Sequence, residues 1–228
     1  MKTLLIVFSV VLFSALDAVS QKTATKTLDH FTGIQVKNGI LVQLVKADRE
    51  YAEMKVQEIE PSDVIAEITN GLLVLRYQGT AFTKAKVMIN VYYKELLSIT
   101  ASGQSEVTST SLMKQDSLVV DLETGAKAYL DLDVKYLKSS VSEGAVLSAE
   151  GYAVRQDAYA ATGASLSLFD LESDDIAVKV TTNGKAKLYV EKNLSADAST
   201  GGYISYKGDP AVKNFKTSIG GKIEQYAR

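Results

Sequence analysis

The sequence predicts an all-β chain whose larger part is a β-solenoid, a right-handed β-helix-like stack of about six to seven coils. Three observations lead there. A small polar residue followed by glycine recurs as Ser102-Gly103, Thr124-Gly125, Glu143-Gly144, Thr162-Gly163, Asn183-Gly184 and Thr200-Gly201, with a fainter copy at Ile219-Gly220. Subtraction puts successive glycines 22, 19, 19, 21, 17 and 19 residues apart, a period with room for two short strands and two turns. Between the glycines the apolar residues alternate with period two, and from Phe31 to Tyr93 no window of about 11 residues keeps a helical period. Finally, the chain has no cysteine, so neither disulfides nor thiolate chemistry hold it together.

Residues 1–20 read as a secretory signal peptide: Lys2, an apolar run from Leu4 to Phe13, and Ala18-Val19-Ser20 as a cleavage site before Gln21. A membrane anchor would need about 20 apolar residues, and Asp17 cuts the run short. No other segment of the mature chain is apolar and long enough to span a bilayer. Export predicts a periplasmic, outer-envelope or extracellular location. Removing the signal leaves 208 residues (228 − 20) with 24 basic and 26 acidic side chains, once Lys2 and Asp17 are subtracted from 25 and 27. That length suits one domain. Near-neutral, interspersed charge argues against nucleic acid as a partner.

Residues 21–30 are polar and are expected to form a flexible leader. Residues 31–95 form a hairpin-rich β part of the same domain. Ile34 and Val36, then Lys37-Asn38-Gly39, then Ile40, Val42 and Leu44 predict a first hairpin, because Asn-Gly between alternating runs favours one. Asn70-Gly71 between Val64–Thr69 and Leu72–Tyr77 predicts a second. Val87, Ile89, Val91 and Tyr93 alternate again after a loop at Gln78 to Lys84.

Residues 96–228 are the glycine-repeat solenoid. Glycine reaches positive φ and tolerates close backbone approach, as a sharp corner requires. Gly103, Gly125, Gly144, Gly163, Gly184 and Gly201 are therefore assigned as structural corners, with the residues before them forming a cross-strand ladder. Ile176, Val178 and Val180 run in the opposite phase from Ala158 and Ala160, which predicts a bulge or longer turn; the acidic stretch Glu172 to Asp175 is the expected turn. Interior positions are small: Ala126, Ala128, Ala145, Ala149, Ala158, Ala160, Ala164 and Ala186. Phe215 to Tyr226 is expected to be a closing strand pair that covers the last coil.

The order Phe31-x-x-Ile34-x-Val36, Asn70-Gly71-x-Leu73-x-Leu75, Ala101-Ser102-Gly103, Thr124-Gly125-Ala126, Thr162-Gly163-Ala164-Ser165 and Tyr206-x-Gly208-x-Pro210 resembles the head GIN domain family of autotransporter adhesins. These are secreted proteins of Bacteroidetes-type bacteria, and the likeness covers about residues 27–226. The resemblance implies a β-helix-like fold and an envelope location, and it carries over no catalytic residues. Glu143-Gly144 and Asn183-Gly184 depart from the Ser-Gly or Thr-Gly of the pattern.

Chemistry is sparse. His30, the single histidine, lies in the polar leader and is no triad member. Asp131 with Asp133, and Asp174 with Asp175, lack calcium-loop spacing. Polysaccharide hydrolysis on a solenoid needs two acids side by side on adjacent coils; among positions four before each repeat glycine, only Asp121 and Asp197 are acidic, and three coils lie between them. Gly201-Gly202 lacks the Lys-Ser/Thr of a phosphate loop. No catalytic, cofactor or metal residue is assigned. Tyr129, Tyr189 and Tyr203 fall on the second strand of three coils and are the candidate exposed contacts for a ligand. The expected function is a secreted, non-enzymatic binding or structural module offering a β-sheet face to a glycan or protein ligand. The alternatives are a polysaccharide-acting enzyme and a self-associating envelope scaffold; homo-oligomers are compatible with any of these.

Overall fold

The computed structural model describes residues 21–78 and 85–226; the signal-peptide reading of residues 1–20 lies outside them. The described chain is all-β, a solenoid of about seven turns. Its strands are β1 (Lys22–Thr27), β2 (Gly33–Val36), β3 (Leu41–Lys46), β4 (Tyr51–Gln57), β5 (Val64–Thr69), β6 (Leu72–Tyr77), β7 (Lys86–Tyr93), β8 (Ser98–Ala101) and β9 (Glu106–Ser109). They continue as β10 (Met113–Leu122), β11 (Lys127–Val141), β12 (Val146–Ala160), β13 (Ser165–Val180), β14 (Lys185–Ser199), β15 (Tyr203–Lys207), β16 (Val212–Ser218) and β17 (Lys222–Gln225). A single 3-10 turn, Pro61–Asp63, interrupts them.

Two walls enclose one core. The first runs β5–β6–β2–β8 and on through the later halves of β10 to β14 to β16. The second runs β1–β4–β7–β3–β9, then the first halves of β11 to β14, then β15 and β17. Strands β11 to β14 each bend from the second wall into the first, so one edge of the coil is rounded and the other is a sharp corner. Inward alternate residues fill the space between: Leu122, Val141, Ala160, Val180 and Ala198 stand in one cross-strand row, and all are buried. The eight alanines expected inside are buried as well. Small side chains let the two walls approach closely.

At each corner two successive residues take φ between +48° and +75°: Asn38-Gly39, Gly103-Gln104, Thr124-Gly125, Glu143-Gly144, Thr162-Gly163, Thr182-Asn183, Thr200-Gly201 and Ile219-Gly220. The next N–H then bonds back across the turn, as Ala126 does to the Glu123 carbonyl at 3.2 Å and Ala164 to Ala161 at 3.0 Å. Two left-handed residues closed by such a bond are the signature of a type I′ turn. Corners stack through their backbones: Gly125 N–H donates to Glu143 C=O, Gly144 to Thr162 and Gly163 to Thr182, each at 3.0 Å. The expected side-chain ladder is reduced to one rung, Thr124 Oγ1 donating to Glu143 Oε2 at 2.8 Å.

Several expectations change. Asn183, not Gly184, holds the second corner position of its coil, since asparagine tolerates left-handed backbone; Gly184 follows in ordinary φ. Gly103 holds the first position of its corner and Gln104 the second. Counted by true second positions from Gly125, the spacing becomes 19, 19, 20, 18 and 19 (125, 144, 163, 183, 201, 220). Asn38-Gly39 is not a hairpin: β2 and β3 pair with other strands and not with each other. It is the first corner of the stack. Asn70-Gly71 does make a hairpin, Thr69 facing Leu72. Residues 22–27, expected in a flexible leader, form β1, paired antiparallel to β4. Glu172 to Asp175 lie within β13 rather than in a turn. β16 and β17 are not a covering pair but the last open coil, continuing the parallel stack.

Candidate functional site

The coil between Gly163 and Asn183 carries an irregularity on the outer face of the second wall. Ser148 faces Ser167 and Glu150 faces Asp170, so Ala149 stands opposite two residues, Leu168 and Phe169. On the other side Leu168 faces Leu188 but Glu172 faces Tyr189, leaving Phe169, Asp170 and Leu171 without counterparts in β14. Leu168 and Leu171 stay in the core while Phe169 and Asp170 turn outward. Bulges of this kind re-aim side chains and gather at functional sites.

Phe169 and Asp170 border an open depression of about 620 Å³, lined also by Gly151, Glu172, Tyr189, Lys207, Gly208 and Tyr226. Phe169 and Tyr226 meet at 5.0 Å between ring centroids, tilted by 55°. The Lys207 ammonium sits 4.5 Å from the Phe169 centroid and 5.9 Å from that of Tyr226, and Lys187 is 5.8 Å from Phe169. A cation over an aromatic face is attracted by the ring quadrupole, so Lys207 fixes the mutual position of the two rings. Two glycines let backbones close up beneath: a Cβ on Gly151 would lie 2.2 Å from the Leu132 carbonyl oxygen, and one on Gly208 1.9 Å from that of Val190.

A second depression, about 300 Å³, adjoins the first through Asp170 and is lined by Thr108, Ser109, Tyr129, Asp131, Ser148 and Glu150, among others. Asp131, Glu150 and Asp170 stand directly opposite one another on β11, β12 and β13. The structure thus gathers acids and aromatics from neighbouring coils, contrary to the expectation drawn from Asp121 and Asp197.

Of the three candidate tyrosines, Tyr189 lines the larger depression and Tyr129, 40% exposed, lines the smaller. Tyr203 belongs to neither. Its hydroxyl donates to Glu224, a bond that holds it above the ordinary tyrosine pKa, and Lys222 lies 5.7 Å from its ring centre. Gly103, Gly125, Gly144, Gly163 and Gly201 all sit at corners, away from both depressions. His30 Nδ1 lies 2.9 Å from Glu50 at the N-terminal end. Asp133 pairs with Lys114 at 2.6 Å and Asp174 with Lys192 at 2.8 Å. Among the described residues no group of three or more His, Cys, Asp or Glu is placed to hold a metal ion.

Phe169, Tyr226 and the row of three acids escape a reading by repeat glycines alone. A signal exists: Asp131, Glu150 and Asp170 follow Gly125, Gly144 and Gly163 by 6, 6 and 7 residues. The added residue in the third count is the bulge.

Fold and face together define a β-solenoid module with a lateral aromatic and acidic surface. The chain belongs to the family described as "Putative auto-transporter adhesin, head GIN domain", whose model matches residues 30–210. Its fold is similar to that of a putative adhesin from Bacteroides fragilis NCTC 9343, at TM-score 0.81 and 15% identity, covering 91% of this chain and 97% of that one. A putative adhesin from Parabacteroides distasonis ATCC 8503 aligns at TM-score 0.71 and 20% identity, covering 92% and 98%. A protein from the same organism named as a putative lipid binding protein aligns at 0.69 and 16%, covering 91% and 97%. At these identities the likeness is one of fold. No curated protein matches the sequence. No helix among the described residues is long and apolar enough to cross a membrane.

Proposed function

We propose that this chain is an exported, non-enzymatic binding module of the cell envelope, an adhesin-type protein that takes carbohydrate on the outer face of its second wall. The observation that carries the reading is the depression at the β13 bulge, where Phe169, Tyr189 and Tyr226 stand beside Lys207, Asp170 and Glu172. A pyranose ring has an apolar C–H face and a rim of hydroxyls. An aromatic surface next to carboxylates and an ammonium matches both parts. The family's adhesin name and the apparent signal peptide agree with export and ligand binding. A lipid chain would call for an enclosed apolar cavity, whereas both depressions are open and partly polar.

The test is a glycan and matrix-protein array probed with the mature chain from Gln21. Phe169→Ala and Tyr226→Ala should each weaken carbohydrate binding about tenfold, the equivalent of a ring contact of roughly 1 kcal/mol or slightly more, while circular dichroism stays unchanged. Undiminished binding by both variants would remove the depression from the mechanism. A second reading, an enzyme acting on polysaccharide, rests on the adjacent acids Asp131, Glu150 and Asp170. Appearance of new reducing ends in the bound glycan, lost in Glu150→Gln, would replace the first reading with it.

A further inference from the structure

Building on the carbohydrate reading, we infer that the two depressions form one continuous trough for a glycan chain running along the stack axis, and that this chain is free of carboxylate and sulfate groups. The depressions share Asp170, and both open on the outer face of the second wall. Tyr129 on β11 marks one end and Tyr226, just beyond β17, the other. The two steps β11–β12–β13 from Tyr129 to the strand of Phe169 span about 10 Å at roughly 4.8 Å per strand, and the Tyr226 ring centre lies a further 5.0 Å from that of Phe169. That length accommodates a short run of pyranose units and exceeds one. The ligand crosses strands rather than following one, because the depressions are displaced along the stack. A peptide strand would add to the open edge of β17 at the C-terminal end of this wall, not across the depressions, where β11, β12, β14 and β15 are each paired on both sides.

The chemical class follows from the acid row that runs from the Tyr129 end of the trough to the bulge. Asp131, Glu150 and Asp170 occupy consecutive strands in direct register, and Glu150 and Asp170 are exposed. Neighbouring carboxylates about 4.8 Å apart accept hydroxyl hydrogen bonds well. They repel an anionic sugar seated among them, at distances well inside the roughly 8 Å screening length of physiological salt. The cations Lys187 and Lys207 stand at the other end, already engaged over the Phe169 ring. Acidic glycans are therefore excluded by the acid row even though the Phe169 end of the trough is basic.

The experiment measures binding of the mature chain to gluco- and manno-oligosaccharides from monosaccharide to polymer, with oligogalacturonate of matched length as the acidic counterpart. Affinity should climb with length until the trough is filled. Oligogalacturonate should bind about tenfold or more weakly than its neutral counterpart, and Asp131→Asn with Glu150→Gln and Asp170→Asn should abolish that difference. Tyr129→Ala should cost about tenfold for long chains and nothing for the shortest ligand that binds. Length-independent affinity, or long chains indifferent to Tyr129→Ala, would overturn the continuous trough while leaving the Phe169 depression as a site. Preference for oligogalacturonate would overturn the assignment of class. Failure of every oligosaccharide to bind, with a protein captured instead, would sink the carbohydrate reading and this inference together.

Discussion

The two ends of the stack are built in different ways. At the N-terminal end the chain doubles back: β6 lies on the far side of β2 from β8, and β7 on the far side of β3 from β9, although both follow later in sequence. Antiparallel strands then close the walls, β5 on one and β4 with β1 on the other. Phe31, Leu73 and Leu75 are fully buried beneath them. At the C-terminal end the last described strands, β16 and β17, are each paired on one side only. Every residue of β16 is exposed, with Val212 at 56% and Phe215 at 41%. In a stacked array each coil is stabilised by its own packing and by the coils on either side. The contrast between ends is therefore a contrast between coils with two neighbours and a coil with one.

The sharpest way to exploit it is a glycine pair. Gly151 lies between β11 and β13, at φ +103°, with the Leu132 carbonyl oxygen 2.2 Å from where a Cβ would stand. Gly220 is in the last corner, at φ +75°, and its Cβ would meet only the Gly201 nitrogen, at 3.9 Å. Gly151→Ala should cost more than about 4 kcal/mol, a value reserved for backbone displacement in a packed interior. Gly220→Ala should cost about 1 kcal/mol for left-handed backbone alone. Urea titration of the two variants checks it; comparable costs would mean that the β11–β12 contact yields freely.

Core truncation gives a middle-sized effect. Leu166 is fully buried between Leu147 and Ala186, so Leu166→Ala should destabilise by about 2–5 kcal/mol. Phe215 occupies the corresponding inward phase of the first wall in the last coil, opposite Ala196, yet remains 41% exposed beside the Tyr206 ring. Phe215→Ala should cost only about 1–2 kcal/mol, since some two-fifths of the residue is already in water. Chemical denaturation of both decides whether the last coil contributes as little as its exposure implies.

The same contrast explains what was legible beforehand. From Gly103 onward stacking order equals chain order, so equivalent residues return at a near-constant interval and the array can be read directly. At the other end the equivalence is between Gly39 and Gln104, 65 residues apart (104 − 39) and separated by six strands, β3 to β8. No local period can reveal that, and Asn38-Gly39 is indistinguishable from a hairpin turn because both need the same left-handed pair. Gly184 misled for a related reason: glycine was taken as the mark of the corner, whereas asparagine at 183 serves the same conformation. The bulge was announced by the phase reversal before Val180, but its outcome was not. Whether an added residue makes a turn, as expected at Glu172, or pushes Phe169 outward depends on which neighbours remain pairable across β12 and β14. The acid row lies six and seven residues after the corner glycines, out of reach of a comparison of the positions before them.

The smallest expected effect concerns the corner glycines themselves. A branched side chain at Gly163 meets no neighbouring coil, since no atom lies within 4 Å of its Cβ position. What remains is conformation: Gly163 and Gly220 sit at φ +73° and +75°, and valine at either pays the same cost, about 1–3 kcal/mol. Their thermal consequences should still differ. An interior coil cannot open without exposing the buried faces of both neighbours, so its strain is felt in the global transition. The last coil can release its strain by fraying locally. At roughly 2–4 °C per kcal/mol for a domain of this size, Gly163→Val should lower Tm by several degrees. Gly220→Val should leave it nearly unchanged while speeding amide exchange in β16 and β17. Equal falls in Tm would show that the terminal coil unfolds only with the whole stack, and that the open end is coupled to the core as tightly as the interior.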